Sequence, residues 1–361
     1  MKDCSHYTED FVRFEGRKII MIEKKLKVEG VSSIVKQSEK APDDEIVLSE
    51  NTLRPETLEE YVGQDEIKDN LRVFMGAAKK RAEPMDHVLL HGSPGLGKTT
   101  LAFILAKEMG AQIRVTSGPA LEKPGDLAAL LTNLKAKDVL FIDEVHRLRP
   151  QVEEILYSAM EDFCLDLMIG KGPSARSMRL KLPKFTLIGA TTKLSSLSSP
   201  FRDRFGNVIK LEFYSENDIE KIIKRSANIL DIQIEDEATV RLAKSSRRTP
   251  RIANRLLRRV RDLAHIHEKN LITHEITEET LKMLGVDEIG LDATDRKLLE
   301  TIMEKFGGGP VGLSTISAAS NEEESTIEEI YEPYLMQLGF LERTPRGRQL
   351  TKKVYNYMRI N

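Results

Sequence analysis

GSPGLGKT, Gly92 to Thr99, follows the apolar run HVLLH and precedes the helical segment TLAFILAKEM. Glycines at this spacing turn backbone N–H groups inward around a phosphate, a lysine ammonium reaches the outer phosphoryl oxygens, and a threonine hydroxyl suits Mg²⁺. Gly95, Gly97, Lys98, Thr99 and Thr100 are therefore expected to hold a nucleoside triphosphate. VLFIDEVH ends a buried run with Asp143 and Glu144. In such sheets that strand end lies beside the phosphate loop, so Asp143 joins Thr99 at the metal. Glu144 then orients and deprotonates a water, which favours hydrolysis over transfer to a hydroxyl; the bland alternative is a pair of solvated acids. FTLIGATT ends in Thr191 and Thr192, either of which suits a γ-phosphate, a water or a simple strand cap. TPRIANRLLRRV sets Thr249 at an N-cap and Pro250 at the first helical position, so Arg251 projects from a helix start towards phosphates. SSPFRDRF flanks Asp203 with Arg202 and Arg204 and offers them no anion of its own.

These residues need a scaffold. At 361 residues the chain predicts two or three domains. Hydrophobic residues at 40% and charged residues at 31% describe a globular chain, and no apolar run approaches the roughly 20 residues of a membrane span. No secretory leader is visible, and Cys4 and Cys164 make no metal or redox spacing, so the cytoplasm is the expected compartment. The net charge of −2 argues against a wholly basic nucleic-acid binder, but charge is sorted by segment. Arg241 to Arg261 and Arg343 to Arg359 carry only bases, whereas Glu322 to Glu329 is acidic. A solvated helix face is the ordinary meaning of such runs.

Residues 1–50 show no sustained period and end in EKAPDDEIVLSE, which predicts a flexible extension; Met21 leaves its true start open. From 51 to 214 short apolar runs alternate with helical segments, the pattern of an α/β domain with a parallel sheet covered on both faces. CLDLMIGKGPSARSMRLKL interrupts it with the alternation of a β-hairpin, Leu165, Leu167 and Ile169 sharing one face. Residues 215–286 are helical, opening with a capping Ser215. Residues 287–361 read as three short helices and a hairpin, the order of a winged helix.

Phosphate loop, DE strand end, threonine-tipped strand, SPFRDRF and a helical lid opening in TPR form, in this order, the motif set of AAA+ ATPases. LRPETLEEYVGQ, SGPALEKPGDLAALLTNL, IGKGPSARS, RDRFG, TPRIANRLLRRVRD, TIEEIYEPYL and GFLERTPRGR resemble one family, RuvB, whose members drive branch migration of Holliday junctions. The likeness runs from about Leu53 to the C-terminus, and several strings lie outside the ATPase motifs.

The resemblance implies an ATP-hydrolysing, Mg²⁺-dependent homo-hexameric ring that translocates double-stranded DNA in recombination and repair. Its partners would be the junction-binding protein RuvA and the resolvase RuvC. It implies nucleotide contacts from Leu53, Arg54, Tyr61 and Val62, from Glu161, Asp162 and Phe163, from Tyr214 and from Arg251. It places a catalytic threonine at Thr192 and an arginine finger, acting on a neighbour's site, at Arg204; Arg202 and Asp203 are expected to form local salt bridges. The hairpin of Leu165, Leu167 and Ile169 would dock RuvA, and Arg343, Arg346 and Arg348 would grip DNA phosphates at the wing. Departures from the family pattern are GSPG for GPPG, Arg248 for a glycine, and Lys193 in ATTKLSSL for ATTRAG. Two rival readings share the ATPase motifs. A clamp-loader-like AAA+ protein would not need the RTPRGR wing; an AAA+ regulator would bind DNA by sequence, with a different salt slope.

Overall fold

The computed structural model describes residues 13–14, 17–18, 52–169 and 176–360. The expectations for the extension 1–50 and for the hairpin turn lie outside the described residues, apart from a pairing of Arg13–Phe14 with Arg17–Lys18.

The apolar runs become strands in the order written: β1 (Val88–His91), β2 (Ile113–Ser117), β3 (Val139–Asp143), the hairpin β4 (Cys164–Ile169) and β5 (Arg176–Lys181), then β6 (Thr186–Thr191) and β7 (Asn207–Lys210). Five of them form one parallel sheet, β2-β3-β6-β1-β7. All six residues of β6 are buried and β3 is buried up to Asp143, whereas the edge strand β7 alternates buried-side and exposed residues. A strand covered on both faces has no wet side to encode, which is why the central runs lack a period of two. Alternate side chains reach opposite layers: Val88 and Leu90 pack among Leu71, Leu101 and Leu105, and Leu89 among Leu127, Leu156 and Phe185.

Register decides where the functional groups lie. Val88 pairs with Ile188 and Asn207, and His91 with Thr191 and Lys210. The loops after β1 and β6 therefore leave the same edge of the sheet. The segment before β7, which contains Arg202 and Arg204, enters from the opposite edge.

Among the helices of this region, α1 (Asp65–Arg81), α2 (Lys98–Glu108), α3 (Pro124–Thr132) and α4 (Pro150–Glu161) cover the sheet. The next four, α5 (Ser199–Arg202), α6 (Glu216–Ile229), α7 (Asp236–Ser245) and α8 (Pro250–Ile266), lead into the lid, which α9 (His274–Met283) closes. Ser215 caps α6 as its sequence predicts, accepting the Asp218 N–H at 3.1 Å. Thr249 stands at the N-cap of α8 but its hydroxyl donates to the Ser246 carbonyl at 3.3 Å instead of accepting from the helix.

One residue of the hairpin departs from the expected open apolar face. Leu165 is fully buried in the core with Phe185, and only Met178 among its described apolar side chains is markedly exposed. Leu167 and Ile169 lie on β4, but their side chains are outside the described residues.

The last segment folds as α10 (Ala293–Phe306), α11 (Leu313–Ser320), a broken helix that passes through a π-helical turn (Ile327–Tyr331) into α12 (Glu332–Gln337), and the hairpin Leu341–Thr344 with Gly347–Leu350. A terminal helix, α13 (Lys352–Ile360), follows it and buries Val354 against Leu350 and Phe340; the helix-then-hairpin reading had not anticipated it. The basic run from Arg241 divides: Lys244, Arg251, Arg255 and Arg259 are exposed, while Arg247 is buried. Arg241 pairs with Glu278, Arg247 with Asp292 and Asp295, and Arg259 with Asp262.

Candidate nucleotide site and its connections

The loop after β1 is shaped for backbone approach. Gly95 has φ 79°, and a Cβ there would meet the Arg251 Cβ at 3.0 Å; Gly97 has φ 96°, and a Cβ would meet the Tyr61 hydroxyl at 2.9 Å. Only glycine allows both the left-handed backbone and these contacts. Lys98 starts α2, is 8% exposed, and donates to the carbonyls of Gly92 (2.8 Å) and Ser93 (2.9 Å). Burial lowers its pKa to about 8, opposed by the charges of Asp143 and Glu329. Thr99 donates to Asp143 at 3.2 Å, so a hydroxyl and a carboxylate oxygen already converge. Thr100 follows, half-buried, on the same helix.

Among the described residues no group of three or more His, Cys, Asp or Glu could hold a metal on its own. Mg²⁺ does not need one, since it is held by one or two protein oxygens plus phosphates and water. The Thr99 and Asp143 pair fits that demand.

Glu144 lies just beyond β3 in a left-handed conformation (φ 49°) and pairs with Arg147 at 3.0 Å. The two threonines divide their work. Thr191 is buried, contacts the His146 ring at 3.1 Å and accepts the Lys193 N–H, which makes it a strand cap. Thr192 instead donates to Glu329 at 3.2 Å.

The segment before β1 and the lid close over the loop. Tyr61 and Tyr214, both buried, each donate to the Leu96 carbonyl at 3.3 Å. Burial pushes Tyr61 up to about 12, so both phenols remain protonated donors. Leu53 is buried, Arg54 lies over the Phe103 ring, and the Leu53 carbonyl accepts from Arg225 of α6 at 2.9 Å. Val62 is half-buried next to Tyr61. The Arg251 N–H approaches the Gly95 carbonyl at 3.5 Å, which puts the lid helix against the loop itself.

Glu161, Asp162 and Phe163 stand apart from this group. His87, just before β1, holds the Met160 carbonyl at 3.1 Å, and the Phe163 ring packs edge-on against Phe185, 5.8 Å between centroids. That is the edge opposite the phosphate loop. Arg204 is there as well, donating to Glu161 (3.1 Å) and to the Pro200 carbonyl (2.6 Å) with its guanidinium 4.4 Å from the Tyr157 ring. The local salt bridges expected of Arg202 and Asp203 do not form with any described residue; Arg202 reaches Ser199, at 3.5 Å. Arg204 is the residue held by an ion pair. One chain thus carries a phosphate site on one edge of its sheet and the Glu161 to Phe163 and Arg204 patch on the other.

At the wing, Arg343 and Arg348 both fork onto Glu332, which is fully buried. The Nε contacts are 2.8 and 3.0 Å and the Nη2 contacts 2.9 and 3.2 Å. The two are therefore not loose wing cations, whereas Arg346 is exposed on the turn and pairs with no acid among the described residues. Sequence reasoning missed Glu332, Glu328 and Glu329 as partners, although Glu322 to Glu329 had stood out as acidic.

Known proteins match this arrangement along almost its whole length. Residues 53–211 fit the Holliday junction DNA helicase RuvB P-loop domain, residues 214–287 the RuvB AAA lid domain, and residues 288–359 the RuvB C-terminal winged helix domain. The Holliday junction branch migration complex subunit RuvB of Dehalococcoides mccartyi (strain CBDB1) is 60% identical over 311 residues, 86% of this chain and 89% of the relative. The solved Thermotoga maritima RuvB Holliday junction branch migration motor shares 50% identity with a TM-score of 0.79, covering 85% of this chain and 98% of that one. A point mutant of the same Thermotoga protein gives 0.80 at 50% identity over the same shares. With its phosphate loop, lid and winged helix each matched and this level of identity, the chain belongs to the RuvB family of AAA+ proteins.

Proposed function

We propose that this chain is an ATP-driven motor that translocates duplex DNA and migrates Holliday junctions in the cytoplasm. It would work as a hexameric ring with RuvA and, at resolution, with RuvC. The reading divides it into an ATPase domain (51–214), a lid (215–286) and a DNA-binding head (287–361). The observation that carries it is the placement of Arg204 and the phosphate loop on opposite edges of one parallel sheet, in a chain whose relatives are branch migration subunits.

Lys98 leaves the Gly92 and Ser93 carbonyls to meet the terminal phosphates, and the loop amides and α2 N-terminus hold the rest. Thr99 and Asp143 would hold Mg²⁺, which would supply neutralisation of developing phosphate charge. Glu144 turns from Arg147 to orient and deprotonate the water, with Thr192 beside it. Arg251 follows the phosphates from the lid, so the presence of the γ-phosphate changes lid position. Arg204 stabilises the charge in a neighbouring subunit's site, and Glu161, Asp162 and Phe163, on the same edge, meet that neighbour's nucleotide. The β4–β5 hairpin is the RuvA dock, with Leu167 and Ile169 on it and Leu165 serving the core.

The test is ATP-dependent dissociation of a synthetic four-way junction with and without RuvA. Dissociation that requires ATP supports the reading. Intact ATP hydrolysis without dissociation under either condition overturns it in favour of a clamp-loader-like role.

A further inference from the structure

The acidic π-helical turn of the head touches both ends of the machine. Glu329 accepts from Thr192 at 3.2 Å with one oxygen and lies 2.9 Å from the Lys193 ammonium with the other. Glu328 lies 3.2 Å from the same ammonium. These side chains are roughly 30% exposed, so water screens the pairs less than on an open surface. Burial raises the Glu329 carboxyl, yet Lys193 and Thr192 outweigh it and leave the group below its usual range. Its charge also reaches Lys98 and His146, favouring the protonated form of each. An anion from the head thus sits on Thr192 and Lys193 with its field reaching Lys98.

The other side of the turn faces the wing. The second oxygen of Glu328 lies 3.5 Å from Arg343 and 3.8 Å from Arg348, the two arginines that also clamp buried Glu332 one helical turn further on. A π-helical turn is a rare local register that often marks functional sites.

We propose that Glu328 and Glu329 form a carboxylate latch: in the absence of DNA they occupy the corner of the nucleotide site that a γ-phosphate needs, and duplex DNA releases them by drawing Arg343 and Arg348 away. The inference rests on the motor reading above and adds a route from wing to nucleotide. Two anions in the field of the same lysines exclude each other, so latch and triphosphate compete. DNA phosphates take the arginine forks and leave Glu332 a buried carboxylate without its cations, a costly state. The turn moves outward to hydrate Glu332 and carries Glu328 and Glu329 off Lys193 and Thr192.

The test is the affinity for a fluorescent, non-hydrolysable ATP analogue, with and without a short DNA duplex, in the full chain and in the Glu328→Gln/Glu329→Gln variant. The wild type should tighten by about fivefold or more when duplex is added, the lower end of site-to-site couplings. The double variant should bind at the tightened level without DNA and gain nothing from it. Lys193→Gln, which opens the latch from the other side, should likewise lose the response to duplex. Hydrogen exchange in Ile327–Tyr331 should rise when the wild type binds duplex. A double variant with wild-type affinity and a full duplex response, or an unaltered turn on DNA binding, overturns the latch. Those results with normal analogue binding leave the motor reading standing; a wild type that binds no analogue overturns both.

Discussion

Lys98 is held by two loop carbonyls in a buried pocket, and that pocket sets a pH limit on nucleotide binding. Burial lowers its pKa to about 8, so its cationic form, which a phosphate requires, declines as pH rises past that value. Affinity for the ATP analogue should fall between about pH 7 and 9, read by titration at each pH; Lys98→Ala should bind weakly throughout, with no such slope. Glu144→Gln should keep analogue binding and lose about 100-fold or more in turnover, as expected for loss of a general base. Near-normal turnover would remove Glu144 from that role. At this scale the phosphate loop and the DE strand end were legible because loop and strand geometry fix them locally. The division of labour between Thr191 and Thr192 was not, since it depends on His146 and on Glu329, which is 137 residues away. The pairing of Arg343 and Arg348 was hidden for the same reason: their counter-ion Glu332 meets them only when the broken helix packs on the wing hairpin.

Between elements, the junction of lid and head is built on Arg247, which donates to Asp292 at 2.6 Å and Asp295 at 2.5 Å, at the N-terminus of α10. Asp295 is fully buried with one carboxylate oxygen unpaired; burial raises its pKa to about 7 despite Arg247. A carboxyl raised in the folded state adds stability that is complete below its unfolded pKa near 4 and is lost as pH rises through about 7. The fall in thermal stability between pH 5 and 8 should therefore be shallower in Asp295→Asn than in the wild type. Arg247→Met should cost about 3 kcal/mol by chemical denaturation, because it leaves Asp295 buried without a cation. Equal pH slopes, or a cost near zero, would make the triad incidental. The sequence displayed Arg247 within a basic run, and no local pattern paired it with Asp292 or Asp295. Strand existence was legible in β1, β3 and β6, while the placement of Leu165 in the core was not, because alternation in a hairpin does not say which layer receives it.

Across the whole molecule, Arg204 should act only on another subunit. Arg204→Ala should bind the ATP analogue normally and hydrolyse ATP about 10³-fold more slowly. Mixing it with Lys98→Ala should restore part of the turnover, since each chain supplies what the other's site lacks; no recovery would count against action in trans. The order of motifs disclosed the family and pointed Arg204 away from its own phosphate loop, and the register of β1 with β7 fixes the opposition of the two edges. That opposition has a further cost for a lone subunit. Four strand residues span about 13 Å, and no local loop motion carries a guanidinium held by Glu161 and Tyr157 around the sheet to its own phosphates. Turnover per chain should then collapse on dilution, even at saturating ATP, once the protein falls below its self-association constant. A specific activity that stays flat through that range would mean that a single chain is a complete enzyme.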